Sequence, residues 1–343
     1  MQKPELLSRD AEQSPARLIG EMSRLYFLSR AIQVAAELGV ADRLGDSTVT
    51  VAALANATKT KAGALRRLLR FLSAYRIFEE ISPDGFSNTE LSSVLRDDHP
   101  RSVRPHLQRV GIWWAAVGDF EHCLRTGEPA FQHLHGVPFF QYLKENPEAQ
   151  RRFDRGMERT SDADDAAIAA SYAFSRFRQI VDVGGGRGGL LVQILQRAPD
   201  AVGVLFEQPQ VLERATRLKE ADLSKRSKKI GGSFFETIPA GADCYVIKGV
   251  LHDFNDEQCV RILSNCRRAV SAEGRLLIAN QDLPHRSDSP HPNLTMDIQM
   301  MMLLGGRERT APEWSELFQR SGWQLSERVE THVGFTLIEG RPN

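Results

Sequence analysis

Two stretches of this chain combine residue types and spacings that suit chemistry. The first is Ile180-Val181-Asp182-Val183-Gly184-Gly185-Gly186-Arg187-Gly188-Gly189, where a β-branched run holds a carboxylate and ends in five glycines across six positions. Leu190, Leu191, Ile194 and Leu195 follow at helical spacing. The pattern predicts a buried parallel strand, a tight turn and a helix N-terminus, which together bring main-chain N–H groups against a nucleotide-like ligand. Glycine suits such a turn because a Cβ would block close approach. The second stretch is His252-Asp253, directly after the apolar run Tyr245–Leu251. Open α/β sheets bind ligands in the loops beyond the carboxyl ends of their strands, although a lone histidine at such a place is more often structural and by itself assigns no role.

The glycines alone do not fix the ligand. Gly184, Gly186 and Gly189 satisfy the loose G-x-G-x-x-G pattern, and Glu207 ends the next strand near the distance at which an acid holds ribose hydroxyls. Both facts fit NAD and S-adenosylmethionine equally. Two others favour the second. Asp182 stands where a carboxylate can face a cationic amino-acid end, and the motif begins past the middle of the chain, so a large separate segment precedes it.

The elements that must position these residues fall into two halves. From about Phe174 the chain alternates strands and helices: Gln179–Val183, Val202–Phe206, Lys229–Gly231, Asp243–Val250 and Arg275–Asn280 read as strands of successive βαβ units. Trp323–Glu330 and Gly334–Glu339 read as an antiparallel hairpin added at the sheet edge, unusual for an NAD domain. The first half is helical. Leu18, Met22, Leu25, Leu28, Ile32 and Ala35 share one helix face between Ala16 and about Val40, with Ile19, Tyr26 and Phe27 apolar off that face, so this helix must be buried on more than one side. A capped helix at Thr50–Ala55, a second helix carrying Leu65, Leu68, Leu69 and Leu72, and a hairpin around Ser82-Pro83-Asp84-Gly85 describe a winged helix. Further helices are expected over Val103–Leu124 and Phe139–Thr160.

A winged helix raises the possibility of a cofactor-sensing DNA regulator, with Arg66, Arg67 and Arg70 meeting phosphates. The alternative is a solvated face opposite the leucine stripe, and it is favoured by the charge balance, 44 basic against 44 acidic residues. The four cysteines show neither a C-x-x-C pair nor zinc spacing, so reduced thiols are expected. His133 and His135, read as loop residues with no third ligand candidate, lead to no metal assignment. The N-terminal Met1-Gln2-Lys3-Pro4-Glu5 lacks an apolar leader core and no run is long enough for a membrane span, so a cytoplasmic location is expected.

Four ordered blocks extend the pattern: Val181–Gly186, Gly232-Ser233-Phe234-Phe235-Glu236, Lys248-Gly249-Val250-Leu251-His252-Asp253-Phe254, and Gly305-Gly306-Arg307-Glu308-Arg309-Thr310. With these, almost the whole chain resembles the S-adenosylmethionine-dependent small-molecule O-methyltransferases of plants and of antibiotic-producing bacteria. The resemblance implies a class I α/β methyltransferase sheet, mostly parallel with a final antiparallel hairpin, preceded by an all-α winged-helix domain used for homodimerisation and closure. It implies domains over 1–105 (dimerisation), 106–172 (linking helices lining the site) and 173–343 (catalysis). For the cofactor, S-adenosyl-L-methionine with product S-adenosyl-L-homocysteine and no metal, it implies Gly184 and Gly186 at the methionine end with Asp182 nearby, and Glu207 on the ribose. Ser233 and Phe234 would flank the adenine, and Lys248 would lie near the adenine end. Phe153, Met157 and Ser161 match a family F-x-x-x-M-x-x-x-S helix, with Ser161 toward the cofactor carboxylate. Ser233 and Asn280 stand where relatives often have acids.

The same resemblance makes His252, with Asp253, the general base, Glu308 the carboxylate that orients it, and Asn280 a neutral substitute able to accept a hydrogen bond from the imidazole. An acceptor pocket is expected from Asn293, Met296, Met300, Met301 and Leu304 with Trp113, Trp114 and Phe153; methionine adapts to flat aromatic ligands. Ordinary helix packing explains some of these methionines equally well. The expected reaction is methyl transfer to a hydroxyl of an aromatic or polyketide-type small molecule, with no nucleic acid and no membrane as partner. Its rivals are N-methylation, hydroxylation or decarboxylation on the same fold, the winged-helix regulator, and NAD-dependent reduction.

Overall fold

The structure is a computed structural model that describes residues 14–343, so the N-terminal stretch read for a leader lies outside the described residues. The chain divides into two compact units: residues up to Ile112 together with Arg151–Gly156, and Trp113–Gln150 together with Met157–Asn343.

In the first unit the single long helix expected from the apolar spacing is broken into Pro15–Met22, Leu25–Glu37 and Val40–Leu44. Gly39 takes φ +64° between the last two, a conformation that costs a residue with a Cβ. Helices Val51–Thr58 and Ala62–Ala74 follow, the first capped by the Thr50 side chain accepting the Ala53 N–H at 3.3 Å. The wing is three-stranded where a hairpin was expected. Strand β1 (Val49–Thr50) pairs antiparallel with β3 (Gly85–Asn88), which pairs with β2 (Phe78–Ser82). Leu54, Leu65, Leu69, Leu72, Phe78 and Phe86 form the core, each buried aliphatic or aromatic side chain contributing roughly 1.5–3 kcal/mol of transfer free energy. Arg70 is exposed and pairs with Glu80 at 3.3 Å on the opposite, solvated face. Ile19, Met22, Tyr26 and Phe27 stay exposed on the N-terminal helices.

The second unit is built on a seven-stranded sheet: β4 (Gln179–Val183), β5 (Val202–Glu207), β6 (Ser227–Gly231), β7 (Cys244–Lys248), β8 (Arg275–Asn280), β9 (Trp323–Glu330) and β10 (Thr336–Pro342). Their order is β6-β5-β4-β7-β8-β10-β9; the first five are parallel, and β10 pairs antiparallel with both β8 and β9. The expected hairpin is therefore present, with its second strand inside and its first at the edge. The inner parallel strands β4, β5, β7 and β8 are near-continuous apolar runs because both sheet faces are covered there, whereas the edge strands β6 and β9 are more polar and more exposed. Ile262, Leu263, Cys266, Trp314 and Phe318 pack on one side, and Ile168, Phe174, Leu191 and Leu195 on the other. β7 ends at Lys248, earlier than the apolar run suggests, because Gly249 at φ +58° turns the chain out of the sheet.

The two long helices expected before the sheet are divided into shorter ones, except that the last runs on to Ala170. Trp114–Gly118, Phe120–Thr126, Ala130–His135 and Phe139–Glu145 are separated at Asp119, Gly127 and Gly136, and Asn146-Pro147 starts the long helix Pro147–Ala170. His133 and His135 lie in the last turn of a helix, not in a loop. All four cysteines are free and buried. Among the described residues no helix is long and apolar enough to cross a membrane.

Candidate active site

The carboxyl ends of β4, β5, β6 and β7 present the predicted glycine turn and its neighbours. After Val183 the Gly184 N–H donates to the Phe206 carbonyl at 2.8 Å, locking the turn to β5, and Gly188 caps the helix Gly189–Arg197. Gly186 sits at φ +56° and donates its N–H to Glu207 Oε2 at 3.1 Å. A side chain at Gly185 would collide with the Asp182 carboxyl and Leu205. Glu207 also accepts the Gln208 N–H at 2.6 Å. Burial raises its pKa, and these two main-chain donors oppose the shift.

Asp182 is 1 % exposed, and neither carboxylate oxygen has a hydrogen-bond partner. Burial and repulsion from Asp165 push its pKa up to about 7, with Lys248 pulling the other way. A buried carboxylate that shares the charge of Lys248 with Asp165 is costly and fits a site built to receive a further cation. Lys248, at the end of β7, pairs with Asp165 and donates to Ser161 Oγ at 3.3 Å. The resemblance implied opposite ends of the cofactor for Lys248 and Ser161; side by side, the two can address only one end. Asp165 was not foreseen. It is a buried acid in an unremarkable helical stretch, and only the packing of Pro147–Ala170 brings it to Lys248. Its carboxyl also lies against Gly189 at the helix start. Phe234 packs edge-on against Phe235 and Phe254, and its ring borders Gly184; the Ser233 hydroxyl accepts the Phe235 N–H at 3.3 Å.

His252 rides on the short 3-10 turn Leu251–Asp253. Its Nδ1 is 2.7 Å from Glu308 Oε1, and its Nε2 lies 3.5 Å from Asp253 Oδ1. Glu308 is fully buried, and its second oxygen accepts the Asn280 Nδ2–H at 2.7 Å. This corrects the expectation for Asn280: it donates to the carboxylate and does not accept from the imidazole. The Glu308 N–H donates to Asp297 Oδ1 at 2.8 Å. Burial disfavours the imidazolium, but Glu308 and Asp253 outweigh it, so the His252 pKa stands above its ordinary value. Asp253 is pushed up to about 6 by burial, with His252 opposing.

Arg309 holds this turn from behind. It is fully buried, pairs with Asp256 at 2.7 Å, and donates to the Leu251 and Phe254 carbonyls at 3.0 Å each. Its place in the fourth sequence block was visible, but its task was not. A Cβ at Gly306 would strike the His252 carbonyl, so the block packs directly on the histidine turn.

These geometries coincide with a family pattern. Residues 117–324 match the O-methyltransferase domain family and residues 21–98 the O-methyltransferase dimerisation domain. This chain belongs to the S-adenosylmethionine-dependent O-methyltransferase family. The methyltransferase is similar to phenazine O-methyltransferase PhzM of Lysobacter antibioticus, 38% identical over 92% of this chain and 93% of that protein. It is also similar to phenazine-1-carboxylate N-methyltransferase of Pseudomonas aeruginosa, 32% identical over 90% and 92%. Among solved structures it resembles NcsB1, an O-methyltransferase from neocarzinostatin biosynthesis determined with S-adenosyl-L-homocysteine and 1,4-dihydroxy-2-naphthoic acid. The TM-score is 0.83 at 32% identity, covering 92% of this chain and 96% of that one.

The methyltransferase places the expected acceptor residues unevenly. Asn293, Met296, Met300 and Leu304 share one face of helix Pro292–Leu304 with Asp297, the residue bonded to the Glu308 N–H. Met296, Met301 and Leu304 are partly exposed; Met300 is buried, and the Asn293 amide is engaged with the Asp282 carbonyl at 2.6 Å. Trp113 is buried edge-on against Phe139, 5.9 Å between centroids, and Trp114 is half-buried. Met157 is 40% exposed, and Phe153 falls within the first unit.

Proposed function

We propose that this methyltransferase transfers the methyl group of S-adenosylmethionine to a hydroxyl of an aromatic or polyketide-type small molecule, with His252 as general base. The observation that carries the reading is the Asn280–Glu308–His252 chain of two 2.7 Å contacts. Glu308 on Nδ1 fixes the tautomer that leaves Nε2 free of its proton, and it offsets the imidazolium charge when a hydroxyl proton arrives there. A phenol of pKa about 10 and a histidine near 6.5 differ by roughly 5 kcal/mol, so this charge compensation bears directly on the barrier. The cofactor, when bound, supplies a sulfonium-activated methyl group. Asp182 and the glycine turn would hold its cationic end, Glu207 its ribose, and Ser233 and Phe234 its adenine. Lys248 and Ser161 would together meet its carboxylate. Phe153 and Met157 are assigned their roles on sequence resemblance. The acceptor surface would come from Met296, Met301 and Leu304, with Asn293, Met300 and Trp113 supporting it from the core.

The first unit supports a homodimer, since the dimerisation-domain match coincides with exposed Met22, Tyr26 and Phe27. We read 1–105 as the dimerisation part, 106–172 as connecting helices and 173–343 as the catalytic part.

Incubating the enzyme with a panel of aromatic metabolites and isotopically labelled cofactor, followed by mass spectrometry, tests the reaction. A single added methyl on a hydroxyl, lost in His252→Ala, is the expected result. A second reading, N-methylation, is favoured by the similarity to an N-methyltransferase. A nitrogen with a free lone pair needs no base, so methyl appearing on nitrogen with turnover undiminished in His252→Ala would establish it instead.

A further inference from the structure

Asp119, His122 and His133 come together on the helical segment that precedes the sheet, with one ligand atom from each within 4.8 Å of the others. Asp119 Oδ2 lies 2.7 Å from His133 Nδ1, and the rings of His122 and His133 stack 3.9 Å apart and 4° from parallel. Asp119 occupies the N-cap position of helix Phe120–Thr126, where aspartate ordinarily accepts a main-chain N–H, yet its side chain makes no cap bond and turns to His133 instead. We propose that these three residues form a structural binding site for a borderline divalent cation of the zinc type. One carboxylate and two neutral imidazoles are a ligand set of the right hardness and charge for that ion, with solvent completing the tetrahedron.

Binding requires a defined adjustment. A zinc ion with bonds of about 2.0 Å holds its ligands roughly 3.3 Å apart, so the cluster contracts on its long edge and relaxes on the 2.7 Å edge. A metal also lies in the plane of each imidazole it binds, and two parallel rings share no such point. One ring must tilt, and His133, 54% exposed in the last turn of its helix, is free to do so. The metal then takes the place of the proton between Asp119 and His133. Helices Phe120–Thr126 and Ala130–His135 both pack on helix Pro292–Leu304. A bound ion would therefore clamp the pair that supports the proposed acceptor helix, without entering the methyl-transfer chemistry.

The test is calorimetric titration of zinc into the tag-free, chelator-stripped full-length protein, alongside thermal denaturation. One zinc per chain is expected, with His122→Gln and His133→Gln each weakening binding by at least about tenfold and abolishing the zinc-induced rise in Tm. His332→Gln, at an exposed position in the turn between β9 and β10, should leave both unchanged. The absence of saturable binding, or equal zinc affinity in the parent, His122→Gln and His133→Gln proteins, would overturn the proposal. Circular dichroism of the variants separates loss of the site from loss of the fold.

Discussion

At His252 two opposing effects set the proton affinity: burial favours the neutral ring, and the Glu308 and Asp253 carboxylates favour the charged one, with the carboxylates prevailing. A base with a raised pKa is protonated and idle at low pH, so turnover should rise as pH climbs through a value above about 6.5. Glu308→Gln removes the main group that raises the pKa. Its rate profile should shift to lower pH and reach a lower plateau, which stopped assays across pH 5.5–9 would read (roughly the window set by the imidazole). His252→Ala should lower kcat by about 10²–10⁴ with cofactor affinity unchanged; near-normal turnover on a hydroxyl acceptor would exclude it as base. Asp182 poses the reverse problem. Its pKa near 7 lies above that of an unfolded aspartate, so the stability it contributes is complete below about pH 4 and is lost as pH rises through 7. At pH 8, Asp182→Asn should therefore stabilise the ligand-free protein by about 1–3 kcal/mol in urea titrations while weakening cofactor binding. A variant both less stable and equally tight-binding would contradict the cation-receiving role.

Elements rather than residues decide whether these groups meet. The glycine turn joins β4 to its helix so closely that the Asp182 carboxyl fills the space a side chain at Gly185 would need. Gly185→Ala should cost about 1–3 kcal/mol by overpacking and reduce cofactor affinity measured by calorimetry. The histidine turn depends on Arg309, whose loss leaves the Leu251 and Phe254 carbonyls and Asp256 without their donor. Arg309→Met should lower stability by about 2–4 kcal/mol, and turnover more than cofactor affinity, because the displaced element carries the base and not the cofactor contacts. Neither dependence could be read from spacing. Arg309 sits far along the chain from Leu251, and nothing in the local pattern distinguishes it from Arg307. The helix breaks at Ser23, Gly39 and Asp119 were equally hidden, since apolar periodicity continues across them and only backbone geometry ends the hydrogen-bond ladder.

For the whole molecule, the exposed Met22, Tyr26 and Phe27 within the dimerisation-domain match are the feature a monomer would least tolerate. The double change Tyr26→Asp and Phe27→Asp should convert a dimer to a monomer in light scattering while leaving the seven-stranded sheet folded; an unchanged mass would place the interface elsewhere. The order of the strands along the chain, the glycine turn, the histidine after β7 and the family were legible from the residues alone, because these rest on local chemistry: apolar runs, small residues where backbone must approach a ligand, and motifs read as strings. Which polar groups touch emerges only from the packing of distant segments. That Asn280 serves Glu308, that Lys248 and Ser161 share one end of the site, and that Asp165 and Asp182 crowd a single cation are consequences of packing between segments up to 87 residues apart. Hydrogen bonds and charge pairing act over a few ångströms of space, and separation along the chain does not encode that distance until the sheet has brought the segments together.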